Sequence, residues 1–164
     1  MDEVIDIAVK LVLDMIFAGI AAVGFAAISH PPKGVLKFCA LIAALGHVSR
    51  YCMINFMHCN LVVASLVGAL VVGFLAILIA PRLKCPPETF SFPSLLPMIP
   101  GIYAYRTVQA LAITLTTDTE AEFEHWFYLF ESNGLITFFV VVAMVIGQML
   151  PILIFPRISF SSTK

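Results

Sequence analysis

The chain has 164 residues, of which 61% are hydrophobic and only 12% charged, with a mean hydropathy of +1.03. A soluble domain is about half apolar and about a quarter charged, so this composition excludes one and points to an integral protein of the lipid bilayer. The net charge of -1 says nothing about nucleic acid, and with cations at the ends of apolar runs and no basic patch, none is expected as a partner.

Taken in chain order, the apolar runs predict an all-α, polytopic membrane helix bundle of about five transmembrane helices, since each span needs about 20 mostly apolar residues. Together they fill a single membrane domain over 1–164. The opening Met1-Asp2-Glu3 lacks the basic start of a secretory signal, so the first run, 4–29, is expected to be retained. It carries Asp6, Lys10 and Asp14 in its first half. The second, 34–56, holds Arg50. An arginine at a helix centre costs about 2.5 to 3.5 kcal/mol, and each Leu, Ile, Phe or Val returns about 0.3 to 0.6. Residues 61–80 carry no charge and stop at Pro81-Arg82. Lys84 to Pro93 reads as a cytoplasmic loop. The fourth span, 95–117, is broken at its start by Pro97, Pro100 and Gly101. Residues 120–131 read as a separate external amphipathic helix, with Thr119 and Glu122 spaced as a capping box and Phe123, Trp126, Phe127 and Phe130 on one face. The last span is 132–155, interrupted by Gln148 and Pro151.

The basic residues test this count. Lys33 and Lys37, Arg82 and Lys84, and Arg157 and Lys164 fall on one side of the membrane when the chain crosses it five times. The positive-inside rule then puts the N-terminus outside and the C-terminus in the cytoplasm. Cys39, Cys52, Cys59 and Cys85 form no CxxC pair and no metal spacing with histidine, so they read as structural. No cofactor or metal site is expected, and no nucleotide loop, HExxH or GxSxG pattern suggests an enzyme.

Ionisable groups inside a membrane are expensive and carry a functional hypothesis by default. Asp14 could carry a proton, or pair with Lys10 four residues earlier on the same face, or pair with Arg50. His47 and Arg50 share a face of the second helix. Arg50 could bind a carboxylate with its planar fork, and His47 could relay a proton near neutral pH. At Pro97, Pro100 and Gly101 the proline rings remove backbone donors. A helix restarting there would aim amides and a positive dipole end at the break, which suits an anion. Tyr105 and Arg106 follow at once. Broken helices of this kind build substrate sites in transporters. The small residues Ala18, Ala22, Ala26 and Ser65, Ala69, Gly73 repeat every four and allow close helix contact or a partner subunit.

Several of these stretches, Asp14-Met15-Ile16, Ala22 to Ala26, Cys39-Ala40, Gly46-His47-Val48-Ser49-Arg50, Ala64-Ser65 with Val67-Gly68, and Pro97-x-x-Pro100-Gly101 with Ala104-Tyr105, resemble the threonine/serine exporter family. The likeness is to its short, C-terminal-module form, similar to the small subunit associated with succinate export. This resemblance implies a bacterial inner-membrane exporter subunit for small carboxylates such as threonine, serine or a succinate-like dicarboxylate. It also implies coupling to protons and a larger membrane subunit supplying a second module. On this reading Arg50, Pro97, Pro100, Gly101, Tyr105 and Arg106 contact the substrate, and Asp14 or His47 couples to protons. A non-transporting scaffold and a homo-oligomeric channel are the alternatives.

Overall fold

A computed structural model describes residues 2–32 and 34–156. Six α-helices follow in order: α1 (Asp2–Ile28), α2 (Val35–Asn55), α3 (Leu61–Leu83), α4 (Glu88–Leu95), α5 (Gly101–Thr114) and α6 (Glu120–Ile154), with a 3-10 turn at Leu96–Met98 between α4 and α5. No strand occurs among the described residues. Four of the helices, α1, α2, α3 and α6, are long and apolar enough to cross a membrane. The chain is a polytopic membrane helix bundle. Lys33, Arg157 and Lys164, three of the cations used to orient it, lie outside the described residues.

Local chemistry sets the helix ends. Gly34, at φ 95, turns the chain into α2 through a left-handed conformation that a side chain resists. The Asn60 side chain accepts from the Val62 amide at 3.0 Å and caps α3. At the other end Lys84 adopts φ 52, and its amide closes on the Ala80 carbonyl. Pro81 does not stop α3, contrary to the sequence expectation; the helix runs on to Leu83. A proline this near the end removes only one intrahelical bond.

Three other expectations change. The stretch read as a cytoplasmic loop contains α4, whose Phe90, Ser91, Pro93, Ser94 and Leu95 are buried. Its hydroxyls hid it: in sequence they look solvated, but Ser94 Oγ bonds within the unit to the Phe90 and Cys39 carbonyls, at 2.7 and 3.0 Å. The run 95–117 is not one broken span. It divides between the end of α4, the 3-10 turn and α5, which has 14 residues and so is only about 21 Å long. The helix expected at 120–131 and the span expected at 132–155 are one continuous helix of 35 residues. Ser132-Asn133-Gly134 fails to break it because Asn133 donates to the Leu129 carbonyl at 2.6 Å and Thr137 to the Asn133 carbonyl at 2.9 Å. A glycine alone costs a helix only about 1 kcal/mol.

The helices pack as two compact units, one taking the residues up to Met98 together with those from Ala143 onward, the other Ile99–Val142. In the first, α1, α2, α3 and α4 pack together, with Ala18, Ala22 and Ala26 of α1 buried. Glycines set its closest crossings. A side chain on Gly46 would run into Val72, one on Gly68 into Met98, and one on Gly73 into the backbone of Gln148. In the second unit, Phe123, Phe127 and Phe130 of α6 stack along one face, with centroids 5.8 and 6.0 Å apart.

Candidate functional site

In the first unit the structure brings Asp14 and His47 together. His47 Nδ1 lies 3.2 Å from Asp14 Oδ2, joining α1 to α2 across a sequence separation of 33 residues. Lys10 does not compete, because it pairs with Asp6 at 2.7 Å on the exposed face of α1. The histidine side chain is 15% exposed and the carboxylate 39%, so the pair has a buried end and a wetter end. At the buried end Nε2 has no hydrogen-bond partner among the described residues, although the Pro97 backbone lies beside the ring. The neutral ring carries one proton, either on Nδ1 toward Asp14 or on the nitrogen facing the Pro97 backbone. A second proton makes an imidazolium that faces the Asp14 carboxyl group at one end and the Pro97 backbone at the other.

Arg50, one turn further along α2, holds the broken segment. Its Nη1 donates to the Met98 carbonyl at 2.6 Å. In an unbroken helix that carbonyl would accept from the amide four residues on; here the helix restarts at Gly101 and a guanidinium takes that place. Met98 itself is 1% exposed. Its thioether lies against Gly46 and Gly68, so it wedges between α2 and α3 where both present bare backbone. Arg50, His47, Pro97 and Met98 therefore form one cluster around the break. Gln148 donates to the Ser91 hydroxyl at 2.8 Å in the same unit.

The remaining sequence candidates lie in the second unit. Pro100 is buried and Gly101 starts α5, with open space where a side chain would stand. Several first-turn amides are already used: Gly101 donates to the Ile99 carbonyl at 2.8 Å, and Tyr103 and Ala104 to that of Pro100 at 3.1 Å. Tyr105 is 64% exposed. Arg106 lines a cleft with Tyr103, Gln109, Trp126, Ser132 and Asn133. Sequence reading did not single out Gln109, Ser132 and Asn133 for this role. Their signal was polar residues at helical spacing in two otherwise apolar segments. Among the described residues no three His, Cys, Asp or Glu side chains gather to hold a metal ion.

Comparison with known proteins adds two findings. The profile of a family described as "Threonine/Serine exporter, ThrE" matches residues 14–154. A Haemophilus influenzae protein described as "Uncharacterized protein" is 37% identical over 149 residues, covering 90% of this chain and 48% of its own length. The chain thus spans about half the length of that curated relative. No solved structure matches.

Proposed function

We propose, because the chain belongs to the threonine/serine exporter family, that it is the membrane component of a secondary exporter for small carboxylates, in which the Asp14–His47–Arg50 cluster couples proton movement to the opening of the broken segment. The observation that carries this reading is the arrangement around Met98: a guanidinium on its carbonyl at 2.6 Å, next to a histidine whose one end meets a carboxylate and whose other end is buried without a partner.

The steps follow from the chemistry of these groups. A carboxylate binds an arginine fork more strongly than a neutral carbonyl does, through shorter, charge-assisted bonds. A substrate acid reaching Arg50 therefore exchanges with the Met98 carbonyl and frees the 3-10 turn. Protonation of His47 places a second positive charge near Arg50 and an ion pair on Asp14. Both changes alter how firmly the segment is held. Threonine and serine, and succinate as a dicarboxylate, are the substrates proposed. The reading includes a second module on a larger partner subunit. Alternating access then comes from rocking against that partner. The basic connection after α3, with Arg82 and Lys84, faces the cytoplasm of a bacterial inner membrane, and the N-terminus, three spans earlier, lies outside.

Proteoliposomes holding the chain and its larger partner, loaded with radiolabelled threonine, serine or succinate, test this. Efflux is expected to rise with an inward proton gradient. In His47→Gln it should persist without responding to the gradient, and in Arg50→Ala it should stop while assembly with the partner is retained. Efflux in Arg50→Ala at the wild-type rate defeats the reading.

A further inference from the structure

We propose that the cleft between α5 and the first part of α6 is a binding site for a small carboxylate that bears a further polar group. Its volume is about 450 Å3, inside the range of about 300 to 1,000 Å3 typical of small-molecule sites. Tyr103, Arg106 and Gln109 recur every three residues along α5, and Trp126, Ser132 and Asn133 face them from α6. Ala110, Leu129 and Ile136 complete the lining, so these polar groups gather in an otherwise apolar cleft, as in sites where a few polar side chains orient a ligand.

The hydrogen-bonding state of these groups fits that role. Thr107 and Thr114, on the same helix, turn back to their own backbone at 2.8 Å. The side chains of Arg106, Gln109, Tyr103 and Ser132 make no hydrogen bond or ion pair among the described residues. Arg106 and Gln109 are exposed at the mouth, whereas Asn133 is buried to 9%. Its Nδ2 is used on the Leu129 carbonyl, which leaves Oδ1 as an acceptor. A planar guanidinium at the entrance accepts a carboxylate in two parallel bonds. The amide oxygens and the hydroxyls then receive an ammonium or hydroxyl further in.

Charge narrows the ligand. The lining includes one cation, Arg106, and no Asp or Glu. A single carboxylate is matched by Arg106, and an ammonium or hydroxyl on the remainder finds neutral oxygen acceptors on Gln109, Ser132 and Asn133, whereas the second carboxylate of a diacid meets no cation. A hydroxy-amino acid therefore fits better than succinate. This deepens the exporter reading and rests on it only for the source of the acid.

Trp126 is the sole tryptophan of the chain, so its emission reports on this cleft alone. With the full chain in phosphatidylcholine nanodiscs, L-serine and L-threonine should each shift Trp126 emission saturably, and succinate should require a higher concentration. Arg106→Gln should weaken the response by at least about tenfold, as expected for loss of a charge-assisted pair, and Arg106→Lys by less. Absence of a saturable shift with all three acids in a monodisperse sample overturns the proposal, as does a response that survives Arg106→Gln. Tighter binding of succinate than of serine overturns the one-cation match. A shift produced by phosphatidylglycerol discs with no acid effect reassigns the cleft to a lipid headgroup and also overturns it. Intact efflux with a silent Trp126 sinks the cleft alone; a responsive Trp126 without efflux sinks the exporter reading alone.

Discussion

Buried polar side chains in the unit built from α1 to α4 are mostly bonded to one another or to backbone, while several polar side chains that line the cleft of the α5–α6 unit, such as Arg106 and Gln109, are exposed and make no hydrogen bond among the described residues. In the first, Ser65 bonds to the Leu61 carbonyl, Ser94 to those of Phe90 and Cys39, Gln148 to Ser91 and Arg50 to Met98. Bare glycine backbone brings the helices into contact at Gly46, Gly68 and Gly73. The α5–α6 unit has looser walls: beside Gly134 the nearest atom to an added side chain is Thr107 Cγ2 at 3.4 Å, and the Arg106 cleft has polar groups without partners. The difference teaches where to look for each role. A satisfied, closely packed interior fixes geometry, and His47 Nε2, the one buried side-chain atom without a hydrogen bond among the described residues, is the exception that suggests chemistry. A wall of unpartnered donors suggests a ligand.

Substitutions can break this contrast. The largest effect is expected from Gly73→Leu, because the added side chain meets the Gln148 backbone, which has no rotamer to give. A loss of about 3 kcal/mol or more should appear as aggregation or a much lower melting midpoint in detergent. Arg50→Ala comes next. It leaves the Met98 carbonyl without its donor, at about 1 to 3 kcal/mol, and thermal unfolding followed by size exclusion would register the drop. Gln148→Leu should cost about 1 kcal/mol, with the Ser91→Ala, Gln148→Leu double variant recovering part of it, since removing both partners is cheaper than removing one. Gly134→Ala, in the looser unit, should stabilise by up to about 1 kcal/mol, since alanine favours a helix interior and the added Cβ meets only Thr107. If Gly134→Ala proves as damaging as Gly73→Leu, the two regions do not differ in packing as described.

Much of the first unit was legible because the hydrophobic runs of α1, α2 and α3 are long and their small residues recur every four. The expense of Arg50 also marked it as significant before any geometry was known. The Asp14–His47 contact was not legible as a pair. Sequence spacing proposes neighbours three or four apart, and this pair is separated by 33 residues. Helix α4 was missed because Pro86, Pro87 and Pro93 with two serines read as a loop, although prolines at a helix start are tolerated and both hydroxyls found buried partners. Likewise α6 was cut in two at Ser132-Asn133-Gly134, where side chains returning to the backbone hold the helix together. The cleft around Arg106 needed two helices side by side, which no single segment reveals.

Met98 has a consequence for measurement. A thioether seated between two glycines and 1% exposed is shielded from peroxide until its segment lifts, and conversion to the bulkier, polar sulfoxide would prevent it from seating again. Its oxidation rate, read by mass spectrometry against that of exposed Met57, is thus a clock for how often the turn comes loose. The same reaction would leave behind a chain jammed ajar.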